Sequence, residues 1–296
     1  MDMTADRITP GPVVFGEVLF DCFPDRRVLG GAPFNVAWNL HGLGQAPLFV
    51  GAVGDDDNGA EVRRTVSAWG MDMSGLQQDP LHPTGTVQVR IENDEPSYEI
   101  VPDQAYDHIA REPALKAVAG REQAILYHGS LALRHHQSRH TLLALREHLR
   151  ARVFLDVNLR APWWDVESVH ALMHGATWVK LNEQELDALV KDDGEGLESK
   201  ARHCLERFGL QALIVTRAAE GALVVSREGR VLSRSAPPVD GLVDTVGAGD
   251  AFSAVTLMGL MHGWDWEEIL DRAAGFAAKV CTLRGATSQE KGFYRW

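Results

Sequence analysis

Short apolar runs rich in β-branched residues recur at residues 13–20, 48–53, 124–128, 153–157, 177–181 and 212–216. Between them, apolar residues return every three or four positions over 34–43, 58–69, 138–151, 183–190, 197–208, 248–262 and 267–281, the spacing of one helix face. Runs of the first kind alternating with stretches of the second predict βαβ units, and so a mostly parallel sheet in an α/β fold. One region departs from this rhythm. Residues 84–91 and 97–101 alternate apolar and polar side chains around the turn-forming segment 92–96, which predicts a hairpin. A second segment at 20–30, around Pro24-Asp25-Arg26, is expected to add strands to it. The organisation expected is one domain over 1–296, with a small β-sheet lid drawn from segments around 20–30 and 84–104.

Length and composition narrow the class. A chain of 296 residues can supply one wide sheet covered on both faces, and 45% hydrophobic with 24% charged residues excludes a disordered chain. With 29 Lys and Arg against 41 Asp and Glu, the net charge of -12 repels nucleic acid phosphates and anionic lipid, so neither partner is expected. Residues 1–12 lack the apolar centre of a signal peptide and no run of 18 apolar residues follows, which points to a cytoplasmic location. Cys22, Cys204 and Cys281 are an odd number, far apart, and are read as free core thiols.

The densest chemistry lies in Asp244-Thr245-Val246-Gly247-Ala248-Gly249-Asp250-Ala251-Phe252, which runs into an apolar helix pattern. Small residues ahead of a helix let backbone N–H groups approach an anion, and the helix dipole adds partial positive charge there. An aspartate beside such an anion hole can take the proton of an attacking hydroxyl while the N–H groups stabilise a phosphoryl group in transfer. A capping aspartate in a tight turn has the same local appearance. Near the other end, Gly30-Gly31-Ala32-Pro33-Phe34-Asn35 offers bare backbone, and Asn35 one turn into a helix presents a donor and an acceptor to vicinal hydroxyls. The alternative there is a glycine-permitted loop with a solvated Asn35.

These two strings resemble the C-terminal and N-terminal signatures of the ribokinase family, also called the PfkB carbohydrate kinases. The resemblance implies a ribokinase-like three-layer sandwich and ATP-dependent phosphorylation of a sugar hydroxyl. It implies Gly247, Ala248 and Gly249 as anion hole, Asp250 as base, Asp244 beside a monovalent cation such as K+, and Asp21, Gly31 and Asn35 in the sugar pocket. Asn182-Glu183-Gln184-Glu185, at the end of an apolar run, resembles the family's Asn-x-x-Glu motif; this implies Asn182 at the nucleotide and Glu185 positioning Mg2+ through water. The bland counterpart is a capping asparagine with surface glutamates.

Thr216 and Gly221 stand where relatives carry Thr-x-Gly-x-x-Gly around the nucleotide phosphates, but Ala218 replaces the first glycine. If that position needs a positive φ, alanine costs ~1 kcal/mol. Asp156-Val157-Asn158-Leu159-Arg160 resembles the fructokinase and ketodeoxygluconate kinase branches and makes Arg160 a cation for substrate or phosphate, against the alternative of a surface ion pair. Tyr98-Glu99-Ile100-Val101 lacks the arginine that ketodeoxygluconate kinases use for their substrate's carboxylate, and residues 102–107 are similar to bacterial fructokinases, so a neutral sugar, fructose first, is expected. A ketodeoxygluconate, ribose or nucleoside kinase of the same family, and a sugar sensor without turnover, are the competing readings. A P-loop NTPase is disfavoured because no Gly-x-x-x-x-Gly-Lys-Ser/Thr string exists. His135, His136 and His140 open a surface helix without acidic or thiol ligands and are not read as a metal site, and Trp163, Trp164, Trp264 and Trp266 are read as packing. Lids pair between subunits in relatives, so the resemblance also implies a homodimer through the lid.

Overall fold

The computed structural model describes residues 11–92, 95–191 and 196–295. In chain order the strands are β1 (Val13–Phe15), β2 (Leu19–Cys22), β3 (Arg27–Gly30), β4 (Leu48–Gly54), β5 (Leu76–Asp79), β6 (Gly85–Glu92), β7 (Glu95–Ile100), β8 (Leu126–His128), β9 (Val153–Asp156), β10 (Trp178–Asn182), β11 (Ala212–Thr216), β12 (Ala222–Ser226) and β13 (Val231–Arg234). Among the described residues nine of them make one sheet in the order β13-β12-β11-β10-β9-β8-β1-β4-β5, parallel except at β12 and β13. A separate sheet, ordered β3-β2-β6-β7, holds the predicted lid segments, with β2 parallel to β6 and the other pairs antiparallel. The hairpin's turn at 93–94 lies outside the described residues.

Alternation along the strands builds the layers. On β1, Val14 packs among α1 (Ala32–Gly42), α2 (Asp57–Trp69), α8 (Ala248–His262) and α9 (Trp266–Val280), whereas Val13 and Phe15 face α3 (Arg111–Ala117) and α4 (His136–Leu149). On β11, Ala212 and Ile214 take the first side, and Leu213 and Val215 meet α5 (Val166–His174), α6 (Glu183–Leu189) and α7 (Leu197–Phe208). This is the ribokinase-like three-layer sandwich.

The apolar run 13–20 does not form a single strand. Gly16 N–H still donates to Val50 in the large sheet, 3.1 Å away, but Glu17 and Val18 then leave it and the chain re-forms as β2 in the lid. Beneath the lid, Leu19, Val87 and Ile100 pack on Tyr106, Leu131, Ala132 and Trp163, so Trp163 is a packing residue. No helix among the described residues is long and apolar enough to cross a membrane.

Candidate active site

The parallel strands end their carboxyl termini on one side, and strand order reverses about β1, which has β4 and β5 on one flank and β8 to β11 on the other. Open α/β sheets collect ligands outside such a reversal. Glu17 follows β1, Asp156 ends β9, Asn182 ends β10 and Thr216 ends β11.

The two signatures meet there. Asn35, buried in the first turns of α1, donates from Nδ2 to Oδ2 of Asp250 in the first turn of α8 at 2.8 Å, across 215 positions of sequence. Burial lifts the Asp250 carboxyl to about 6; the Asn35 donor opposes the rise, the Asp156 charge adds to it, and Lys180 and Arg160 pull it down. The turn before α8 is held by the Asp244 carboxylate, which accepts from Val246 N–H at 3.0 Å and Gly285 N–H at 3.3 Å. Gly247 adopts φ 79, and a Cβ there would lie 2.2 Å from that of Ala286, so only glycine fits. Ala248 N–H closes back on Thr245 O at 3.2 Å, while Gly247, Gly249 and Asp250 N–H have no acceptor among the described residues. The donors a phosphate would meet are therefore these three, and Ala248 contributes a small side chain.

On the lid side, Gly31 sits at φ 108, where a Cβ would come within 2.6 Å of the Glu17 carbonyl oxygen. This close approach seats the start of α1 against the chain leaving β1. Asp21 on β2 has its carboxyl pushed up by burial, opposed by the Arg160 charge. Arg160 itself is exposed and makes no ion pair among the described residues; its guanidinium acts in common on Asp21, Asp250 and Glu17.

On the other side, Asn182 caps α6. Its Oδ1 accepts from Glu185 N–H and Glu185 Oε2 accepts from Asn182 N–H, both at 2.8 Å, while Glu185 Oε1 accepts from Leu159 N–H at 2.8 Å. Both carboxylate oxygens are thus engaged, and burial raises the group's pKa. Asn182 is in register with Thr216, after which Arg217 N–H bonds Gly221 O at 2.7 Å and Gly221 N–H bonds Ala218 O at 3.1 Å. Ala218 takes φ 47, the left-handed conformation that its family glycine would adopt without strain.

Three polar residues of the site were not singled out from sequence. Asp156, buried, accepts from Lys180 Nζ at 2.8 and 2.9 Å, from Tyr127 OH at 3.0 Å and from Ser253 Oγ at 2.6 Å. A Cβ on Gly249 would stand 3.6 Å from Lys180 Nζ, so a buried cation lies directly under the glycine turn. Glu17 is 2% exposed, its Oε2 has no partner, and burial, with the Asp250 charge adding, raises its carboxyl to about 7. A lysine in the apolar run 177–181 and a glutamate in the run 13–20 were the available signals, since charges in buried strands need a reason.

A mostly parallel three-layer sandwich with a β lid, a helix start bearing free N–H donors and a half-buried carboxylate at its first turn define a ribokinase-like phosphotransferase. The chain belongs to the pfkB family carbohydrate kinases, whose family model matches residues 2–291. It is 33% identical over 298 residues to the fructokinase of Escherichia coli, covering 92% of this chain and 94% of that one. To the aminoimidazole riboside kinase of Salmonella typhimurium it is 28% identical over 287 residues, 93% and 89% of the two chains. A fructokinase double mutant from Vibrio cholerae, solved with fructose, ADP and potassium ion bound, superposes with a TM-score of 0.80 at 25% identity, covering 97% of each chain. The protein is an enzyme that transfers a phosphoryl group to a sugar hydroxyl.

Proposed function

We propose that the enzyme uses ATP to phosphorylate a hydroxyl of a neutral sugar, fructose foremost, with Asp250 as general base. The observation that carries this reading is the Asn35–Asp250 hydrogen bond, which joins the sugar-binding signature to the helix start. A carboxylate near pKa 6 is ionised at neutral pH yet basic enough to accept a proton as the hydroxyl attacks. The hydroxyl oxygen bonds to the γ-phosphorus, the bond to the ADP oxygen breaks, and the proton goes to Asp250. Charge on the moving phosphoryl is met by the N–H groups of Gly247, Gly249 and Asp250, with Lys180 behind them. Asp21, Gly31, Asn35 and Arg160 hold the sugar.

Asn182, Thr216 and Gly221 line the nucleotide side, and the exposed Leu242, Val243 and Val246 leave apolar surface for a base to cover. Mg2+ bound with the nucleotide supplies charge neutralisation on its phosphates. Glu185, its oxygens both taken by N–H groups, fits holding that ion through water rather than directly. The Asp244 carboxylate between the 244–247 turn and the 281–286 segment is the residue that would hold K+.

Fructose is favoured by the fructokinase relatives and by the lack of a carboxylate-binding arginine after Tyr98, while the riboside kinase at 28% identity keeps a nucleoside as the second reading. An ADP-release assay across a sugar panel tests this. Fructose should give the highest kcat/KM; a riboside or ketodeoxygluconate ahead of it overturns the sugar, and no turnover with any sugar favours a sensor. The edge strands β3 and β7 leave the lid sheet open to pairing, and we read the protein as a homodimer joined there.

A further inference from the structure

Away from the active site, three residues from separate loops converge at the base of the lid. His82 precedes β6, Asp103 follows β7, and His108 ends the one-turn helix Ala105–His108. The two imidazoles stack with centroids 3.5 Å apart and planes inclined by 8°. Their Nδ1 atoms face oxygen acceptors: His82 Nδ1 is 2.8 Å from Asp79 Oδ2, and His108 Nδ1 is 3.4 Å from Gln137 Oε1. Both Nε2 atoms then turn towards Asp103 Oδ1, at 2.7 Å from His108 and 3.7 Å from His82. The 2.7 Å contact from His108 to Asp103 is a hydrogen bond when Nε2 carries the proton; with Nδ1–H on each ring instead, two Nε2 lone pairs and a carboxylate oxygen are left for a cation to take up.

The donor set decides which cation. Two imidazoles and one carboxylate suit zinc and its first-row neighbours, whereas Mg2+ and Ca2+ take oxygen ligands. The three ligand atoms lie within 4.8 Å of one another. A tetrahedral ion with bonds of about 2.0–2.1 Å sets its ligands roughly 3.3 Å apart, between the two observed separations, and binding it requires the stacked rings to open so that both Nε2 lone pairs converge. Asp79 bonding the far nitrogen of His82 is the carboxylate–histidine support that metal-bound imidazoles commonly have. Asp79 is itself fixed by the N–H groups of Leu81 at 2.7 Å and His82 at 3.2 Å.

We propose that His82, Asp103 and His108 form a binding site for a zinc-like divalent cation that clasps the two roots of the lid hairpin. The roots are already joined by Ala105 N–H to Pro83 O at 2.8 Å, so an ion there would reinforce an existing seam. The remaining coordination position is open to water, because Asp103 lies at the surface. The site shares no residue with the phosphoryl-transfer machinery and stands whichever sugar the enzyme takes.

Cobalt substitution is the direct test, on full-length protein purified without a histidine tag. One equivalent of Co2+ should give the intense visible absorption of a tetrahedral nitrogen–oxygen site, displaced by Zn2+. His82→Gln and Asp103→Asn should abolish that spectrum, with circular dichroism confirming that each variant folds. Asp79→Asn, which keeps all three ligands, should weaken Zn2+ binding by at least about 10-fold. A triple variant, His135→Gln with His136→Gln and His140→Gln, should bind as the parent does. Absence of stoichiometric binding at micromolar metal, or binding that survives His82→Gln and is lost in the triple variant, would overturn the proposal.

Discussion

Asp250 combines a functional demand with a cost. Its folded-state pKa is raised to about 6 from an ordinary 3.8, so its contribution to stability is fully present below 3.8 and is lost as pH rises through 6. Asp250→Asn should therefore raise the unfolding free energy at pH 8 by about 1 kcal/mol after allowance for partial solvent access, with the gain vanishing towards pH 4. The same variant should keep sugar and nucleotide binding but lose on the order of 10²-fold or more in kcat. Parent kcat/KM should fall as the pH drops through 6, following loss of the ionised base. Denaturant melts at the two pH values and steady-state kinetics check these together, and a variant with near-normal kcat would remove the base from this position. Lys180 makes a second residue-scale case, because its removal strands the buried Asp156 carboxylate. Lys180→Met should destabilise by about 3–5 kcal/mol, and adding Asp156→Asn should restore most of the stability without restoring kcat, since the cation under the glycine turn is still missing. Recovery of kcat in the double variant would reduce the lysine to a structural partner. Pattern could reveal Asp250 and Asn35 because each stands in a distinctive string; the Lys180–Asp156 pair became visible only once adjacent strands set them side by side.

At the scale of elements, long and strongly periodic segments declared themselves. Helices α7 and α8 occupy the spans their apolar spacing gives, and strand β11 does too. Short or edge elements did not. β5 is Leu-Gln-Gln-Asp with one apolar residue, α5 is nine residues long, and the run 13–20 carried no mark of where one sheet hands the chain to another. Antiparallel β12 and β13 extend the sheet beyond the alternation on which the parallel reading rested. The turn from Thr216 to Gly221 gives this scale its prediction. With Ala218 at φ 47, Ala218→Gly should relieve ~1 kcal/mol of backbone strain and lower KM for ATP more than it changes kcat. Thermal melting and initial rates measure both, and an unchanged KM would separate that turn from nucleotide binding.

For the whole molecule, the lid sheet sets the assembly expectation. Equilibrium sedimentation should return twice the chain mass of 32.5 kDa, and a monomer would reject pairing through the lid. The lid was legible as one alternating hairpin and a distant segment marked by the turn Pro24-Asp25-Arg26, but not the parallel pairing of β2 with β6 that fuses them, because register between distant strands leaves no local trace. The histidine cluster at its base was hidden for the same reason, its members coming from positions 82, 103 and 108 on separate turns.

Strand β3 runs into α1 with only Gly31 between them, so the piece of cover bearing Asp21 and the helix bearing Asn35 are consecutive stretches of one ribbon. Any tilt of the cover therefore pulls on the start of that helix, and Arg27, reaching from the ribbon to Asn58 and Glu61, stitches the two layers together a second time.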